Sequence, residues 1–137
     1  MAIQFDPIGV VHTDVESVPR HWTVSDLEGT LEIDPRYEVG LRDIHPGKRI
    51  VVLFHFHKGE PFALENLIQQ PPVHREDRGV FSTCSPVRPA PIGLSVVEVL
   101  SRQGSSLRVK GIDMLDGTPI LDIKPHTEKR PDDQPEA

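Results

Sequence analysis

Two clusters in this chain hold side chains whose types and spacing suit chemistry. The first is Ser85-Pro86-Val87-Arg88-Pro89-Ala90-Pro91-Ile92-Gly93-Leu94-Ser95. Three prolines in nine residues fix the shape of this loop in advance, so little entropy is lost when a ligand binds. A stiff loop that carries Arg88 can present a guanidinium to a carboxylate or phosphate; the competing account is a structural crossover with a solvated arginine. The second cluster is Gly111-Ile112-Asp113-Met114-Leu115-Asp116-Gly117-Thr118-Pro119-Ile120-Leu121-Asp122-Ile123-Lys124. Asp116-Gly117 is a turn signal, and Asp116 can bond its own turn backbone. Asp113 and Asp122 each lie among apolar strand residues. Such carboxylates can bind ribose hydroxyls or a ligand amino group, or can pair with Lys124.

Other reactive side chains give weaker signals. His55 and His57 fall on one face of a strand, where an i, i+2 pair can chelate zinc. No third and fourth ligand accompany them, so two strand-end histidines and no metal is the expectation. Cys84 has no activating partner nearby in sequence and reads as a buried, inert thiol.

The elements that must position these residues are short. Ile50 to His57 is the strongest strand, rich in β-branched and aromatic residues and apolar on both faces, which marks it as central. Ile8–Thr13, Gly29–Asp34, Gly79–Thr83, Leu94–Leu100, Leu107–Ile112 and Ile120–Ile123 also read as strands, with the pair around Gln103-Gly104-Ser105 forming a hairpin. Tyr37–Ile44 suits a helical turn, and Pro61–Gln70 one short helix stopped by Pro71-Pro72. The predicted fold is all-β: a single compact β-barrel of about seven short strands with long loops and at most one or two short helices. Residues 1–126 form the barrel domain and 127–137 a polar C-terminal tail.

Composition narrows the function classes. The chain has 137 residues, 14 prolines and 10 glycines, which favours one domain of turn-linked strands. One cysteine precludes an internal disulfide. No apolar run reaches the ~18 residues that a membrane helix needs, and the N-terminus lacks a signal-peptide pattern. A cytoplasmic protein is expected. The net charge of -6 argues against a general nucleic-acid binder. Charge is uneven, however: residues 42–110 hold 10 basic against 6 acidic side chains, enough for a local phosphate-facing patch. No Gly-x-Gly occurs, so a Rossmann-type dinucleotide site is absent.

Taken together, the two clusters resemble the TsaA-like (TrmO) family of S-adenosylmethionine-dependent tRNA methyltransferases. The residues that carry the likeness are Gly79-Val80-Phe81-Ser82-Thr83-Cys84-Ser85-Pro86, Arg88 to Ser95, Asp113-Met114-Leu115-Asp116-Gly117-Thr118-Pro119 and Asp122-Ile123-Lys124-Pro125. Pro7-Ile8-Gly9-Val10 and Pro19-Arg20 also fit, so the likeness covers roughly residues 5–126. It implies a compact barrel that pairs as a homodimer, with S-adenosylmethionine near the subunit interface. It also implies N6-methylation of threonylcarbamoyladenosine beside the anticodon of threonine tRNA. Cofactor contacts carried over from the family fall at Arg20, His21, Trp22, His57, Lys58, Cys84, Leu94, Lys110, Gly111, Ile112 and Asp113. Trp22 suits adenine stacking or a cation–π contact with the sulfonium. Asp113 suits a ribose or the methionine amino group. Arg88 and Lys124 are the cations expected to meet substrate. A base for the N6 proton is expected among Asp113, Asp116 and Asp122.

The chain departs from the family pattern at three positions, with His21 for the usual Gln, Cys84 for Arg and Ala90 for Asn. Cys84 removes a cation with five donors from an expected cofactor contact. Longer members carry a C-terminal domain suited to holding tRNA, which these residues do not include. Alternative readings are therefore a methyltransferase for a small molecule, or a barrel that binds its ligand without catalysis.

Overall fold

The computed structural model describes residues 1–71 and 76–127. Among the described residues there are eight strands: β1 (Gly9–His12), β2 (Glu28–Ile33), β3 (Arg49–His55), β4 (Ile68–Gln69), β5 (Arg78–Gly79), β6 (Ile92–Gln103), β7 (Ser106–Lys110) and β8 (Pro119–Pro125). Six of them close into a barrel in the order β1-β2-β7-β6-β3-β8, with β8 returning to β1. Every barrel pair is antiparallel. Closure leaves the barrel without an unpaired edge, which suits strands this short.

Period-two alternation fills the interior. On β3, Ile50, Val52 and Phe54 point inward and are buried, while Val51, Leu53 and His55 lie half-covered on the outer face. The strand expected to be buried on both faces is thus fully buried on one. Its inner residues meet Val97, Ser95 and Gly93 of β6 in register. Val11, Leu31, Leu107, Val109 and Ile120 complete the same core. Each such side chain contributes about 1.5–3 kcal/mol through burial.

Two bulges curve the sheet enough to close. Leu100 of β6 is passed over between the pairs Val99–Val109 and Ser101–Arg108. Leu121 of β8 is passed over between Asp122–Leu53 and Ile120–Phe54. An extra residue in one strand bends it and increases its twist. The β6–β7 hairpin turns at Gly104, whose φ of +62° is easy only without a Cβ.

Gly79–Thr83 departs from its strand expectation. Val80–Ser82 is a 3-10 turn, and only Arg78–Gly79 is extended, paired with Ile68–Gln69. The reason is local: Thr83 donates its N–H and its hydroxyl to Val80 O, and accepts from Ser85 N. Such bonds compete with a ladder. The expected helix over 61–70 is a 3-10 turn at Leu64–Leu67, and the one over 37–44 is a 3-10 turn at Pro35–Leu41 capped by Asp34. Pro72 and all of the tail except Thr127 lie outside the described residues. Among the described residues, no helix is long and apolar enough to cross a membrane.

Antiparallel order has one further consequence. The connections β1–β2 (residues 13–27), β3–β6 (residues 56–91) and β7–β8 (residues 111–118) all leave from the same end of the barrel. The connection over residues 34–48 and the tight β6–β7 turn close the other end.

Candidate functional site

The three connections at the first end enclose a cleft of about 690 Å³. That volume is within the range of small-molecule sites. The loops are tied to each other before any ligand arrives. Leu27 O accepts from Gly111 N and Ile112 N at 2.9 and 3.0 Å, and Ser25 Oγ donates to Ile112 O at 2.5 Å. Within the long connection, Gln69 Nε2 donates to Val87 O at 2.7 Å. Arg88 Nη1 donates to Thr83 O and Ser85 O at 3.1 and 3.0 Å, so part of its guanidinium staples its own loop.

Arg20, His21 and Trp22 enter the cleft from the first connection. The ring of His21 is held at both nitrogens. Thr23 N and Thr23 Oγ1 lie 3.3 and 2.7 Å from Nδ1, and Nε2 lies 3.7 Å from Cys84 Sγ. The Trp22 ring lies 5.1 Å from the His21 ring, and the Arg49 guanidinium carbon lies 5.9 Å from the Trp22 ring centre. Cys84 is exposed, contrary to the expectation of a buried thiol, and its partner His21 is far away in sequence.

Asp113 enters from the third connection. Its carboxylate accepts from the hydroxyl of Ser95, a fully buried residue of β6. Burial raises the Asp113 pKa above the ordinary carboxylate value; the Ser95 hydrogen bond, the charge of His21 and the Trp22 backbone N–H oppose that rise. His57 lines the same cleft, with its pKa pushed down by burial first and then by Lys58 and His55.

The cleft brings together Arg20, His21, Trp22, His57, Lys58, Cys84, Arg88, Leu94 and Asp113. Other residues singled out from sequence fall elsewhere. Gly111 and Ile112 are buried at the base of the third loop, where their N–H groups bond Leu27. Lys110 ends β7, with Nζ 3.8 Å from Asp26. Asp116 is exposed, accepts from Thr13 N at 3.0 Å and lies 3.6 Å from His12 Nδ1. Asp122 pairs with Lys124 at 3.0 Å, and both line a second cavity of about 460 Å³ with Tyr37, Leu41 and Lys48. Of the three aspartates expected to supply a base, Asp113 alone lines the cleft. Among the described residues, no three His, Cys, Asp or Glu side chains are placed to hold a metal ion.

Sequence reasoning missed an aromatic wall. Phe54 and Phe56 pack edge to face with ring centres 5.1 Å apart, and both line the cleft. A Cβ at Gly93 would collide with both rings, so that glycine lets the wall stand against the β6 backbone. The signal was present in Phe54-x-Phe56, but both read as ordinary strand core.

The donor set suits an adenosine-type ligand that carries a cation, since an indole, two phenyl rings and a half-buried carboxylate face one space. Comparisons with known proteins agree. A probable S-adenosyl-L-methionine-binding protein of Pyrococcus abyssi is 41% identical over 130 residues, covering 92% of this chain and 69% of that one. A tRNA (adenine(37)-N6)-methyltransferase of Mus musculus is 38% identical over 89 residues, covering 65% of this chain and 21% of that one. The crystal structure of TrmO from Pseudomonas aeruginosa superposes with a TM-score of 0.73 at 32% identity over 93% of this chain, which spans 57% of that protein. The model of the tRNA-methyltransferase O N-terminal domain matches residues 8–132, and this chain, with its barrel and its loop-built cleft, belongs to that family.

Proposed function

We propose that this chain binds S-adenosylmethionine in the cleft and transfers its methyl group to N6 of an adenosine in tRNA. The acceptor in this reading is threonylcarbamoyladenosine next to the anticodon. The observation that carries the reading is the convergence of Arg20, His21, Trp22, His57, Lys58 and Asp113, from three separate connections, on one space. When bound, the cofactor supplies an electrophilic methyl on a sulfonium. Trp22 and the Phe54–Phe56 wall offer flat apolar surfaces to the adenine and a favourable quadrupole to the cation. Asp113 offers a carboxylate to a ribose hydroxyl or an amino group.

Methyl transfer from a sulfonium depends on in-line alignment, and loops tied together in advance reduce the ordering cost of that alignment. Asp113 is the carboxylate placed to accept a proton, and its raised pKa makes it a better base than an ordinary aspartate. Arg20, Lys58 and Arg88 put positive charge at the cleft of a chain whose net charge is -6, a local field suited to a polyanion. We further propose that residues 1–126 act as the domain, in a cytoplasmic homodimer. Ile92 and Leu94 are 46% and 52% exposed on the outer face beside the cleft, and Phe81 is 78% exposed on the long connection. Apolar area of this kind is what a second copy would cover.

Calorimetric titration of cofactor-stripped protein with S-adenosylmethionine tests the first step. Binding, followed by nucleoside mass spectrometry showing one added methyl on threonylcarbamoyladenosine tRNA and none on unmodified tRNA, is the expected result. Binding without transfer to either tRNA would replace this reading with that of a ligand-binding barrel. No binding at millimolar cofactor would overturn it.

A further inference from the structure

Ser95 lies on the interior face of β6, paired in register with Val52 of β3, at a position where its neighbours along the strand face, Val97 and Val99, are apolar. It is fully buried beside a core cluster of Val, Leu, Ile, Phe and Met side chains, and Thr118 is the other buried polar residue among the described residues. A hydroxyl there is costly unless it is bonded. Its partner is Asp113 Oδ1, the one cleft carboxylate that comes from the third connection. The interior face of the barrel thus reaches out, through one hydroxyl, to the side chain that faces the ligand space. We propose that Ser95 is a positioning residue that fixes the rotamer and ionisation of Asp113 for the cofactor, without touching the cofactor itself.

This inference rests on the cofactor reading given above. The geometry favours an aimed hydroxyl over an incidental polar residue. Ala or Val at position 95 would continue the apolar interior, whereas Ser supplies one donor in the direction of the carboxylate. A carboxylate needs such a donor when burial disfavours its charge. The other groups acting on Asp113 are His21 and the Trp22 backbone N–H, both from the first connection, and its own backbone N–H. His21 is itself held by Thr23 and faces Cys84. Ser95 is the contact that comes from the barrel wall, so it ties Asp113 to the strand framework as well as to the loops.

The test compares Ser95→Ala, Ser95→Thr, Asp113→Asn and the Ser95→Ala/Asp113→Asn double variant. In cofactor-free protein, the Asp113 carboxyl titration followed by ¹³C NMR is expected to move up by about one pH unit in Ser95→Ala and to return in Ser95→Thr. S-adenosylmethionine affinity is expected to fall about tenfold in Ser95→Ala, with the loss setting in at higher pH than in the parent. In the Asp113→Asn background, Ser95→Ala is expected to add no further loss, because its effect passes through the carboxylate. An Asp113 titration that Ser95→Ala leaves in place would overturn the inference whether or not the cofactor binds. So would an equal, additive affinity loss in the double variant. If the parent binds no cofactor yet the titration moves, the functional reading fails while the hold of Ser95 on Asp113 stands. Should Ser95→Thr overpack the interior, the Ser95→Ala titration and the double variant decide.

Discussion

The two ends of this barrel are built from the same six strands yet hold two of their aspartates, Asp34 at one end and Asp113 in the cleft at the other, in opposite settings. At the end closed by residues 34–48, acids pair with cations close in sequence. Asp34 meets Arg36 at 3.0 Å, Asp43 meets Arg42 at 3.6 Å, and Asp122, on the wall of the second cavity, meets Lys124 at 3.0 Å. Such pairs are surface features worth little to stability. At the cleft end, Asp113 is half-buried and its direct side-chain partner is the Ser95 hydroxyl. Burial raises its pKa, whereas bonding to Arg36 lowers that of Asp34. A carboxylate kept in a setting that disfavours its charge, inside a cleft, marks a functional position in a way that an ion-paired one does not.

The comparison would break if the two kinds of aspartate proved interchangeable. Asp113→Ala is expected to reduce S-adenosylmethionine affinity by about a hundredfold or more, since the lost contact is charged and partly desolvated. Asp122→Ala is expected to leave affinity within about twofold. Calorimetry on both variants checks this, and equal losses would remove the distinction between the ends.

How far the sequence showed this arrangement differs by element. Alternation and β-branching made β2, β3 and the β6–β7 hairpin legible, because burial on one face and a glycine turn leave marks on neighbouring residues. The grouping of Asp113, Asp116 and Asp122 was not legible, because nearness along the chain stood in for nearness in space. The turn at Asp116-Gly117 and the bulge at Leu121 separate the three: one enters the cleft, one caps a turn on Thr13, one pairs with Lys124. The gathering of three connections at one end follows from strand order, which no local pattern encodes. The resemblance of Arg20-His21-Trp22 and His57-Lys58 to family contacts named residues that the barrel then brings together. It could not have supplied Phe54 and Phe56, which look like core and also form a wall of the cleft.

A second pair of substitutions sharpens the contrast between holding the fold and holding the ligand. Leu41 closes the far end from the 3-10 turn and is 5% exposed, so Leu41→Ala is expected to cost about 2 kcal/mol of stability in chemical denaturation. Cofactor affinity measured well below the unfolding transition should stay as it was. Trp22, half-buried at the cleft, should behave in reverse. Trp22→Ala is expected to lower affinity about tenfold, with a smaller loss of stability than Leu41→Ala. A Trp22 variant that unfolds as readily as the Leu41 variant would make its role mainly one of packing.

The smallest effects are the pH dependences, and their signs should differ between the ends. The folded pKa of Asp113 is raised, so between its ordinary and raised values the folded chain holds a proton that the unfolded chain has released. Stability therefore falls as pH rises through the raised value. Asp113→Asn removes the ionised carboxylate from its half-buried site. It is expected to melt a few degrees above the parent at pH 7, with the gain closing below about pH 4, where the parent aspartate is protonated in both states. Asp34 has the reverse sign. Its lowered pKa gives stability that is present above the ordinary value and is lost as pH falls through the lowered one. Asp34→Asn keeps a capping side chain, so its melting temperature at pH 7 should drop by less than Asp113→Asn gains, and the difference should vanish in acid. Melting curves for both variants across pH 3–8 decide it. If the two shifts share a sign, charge burial does not distinguish the ends, and the raised pKa of Asp113 loses its place as a mark of function.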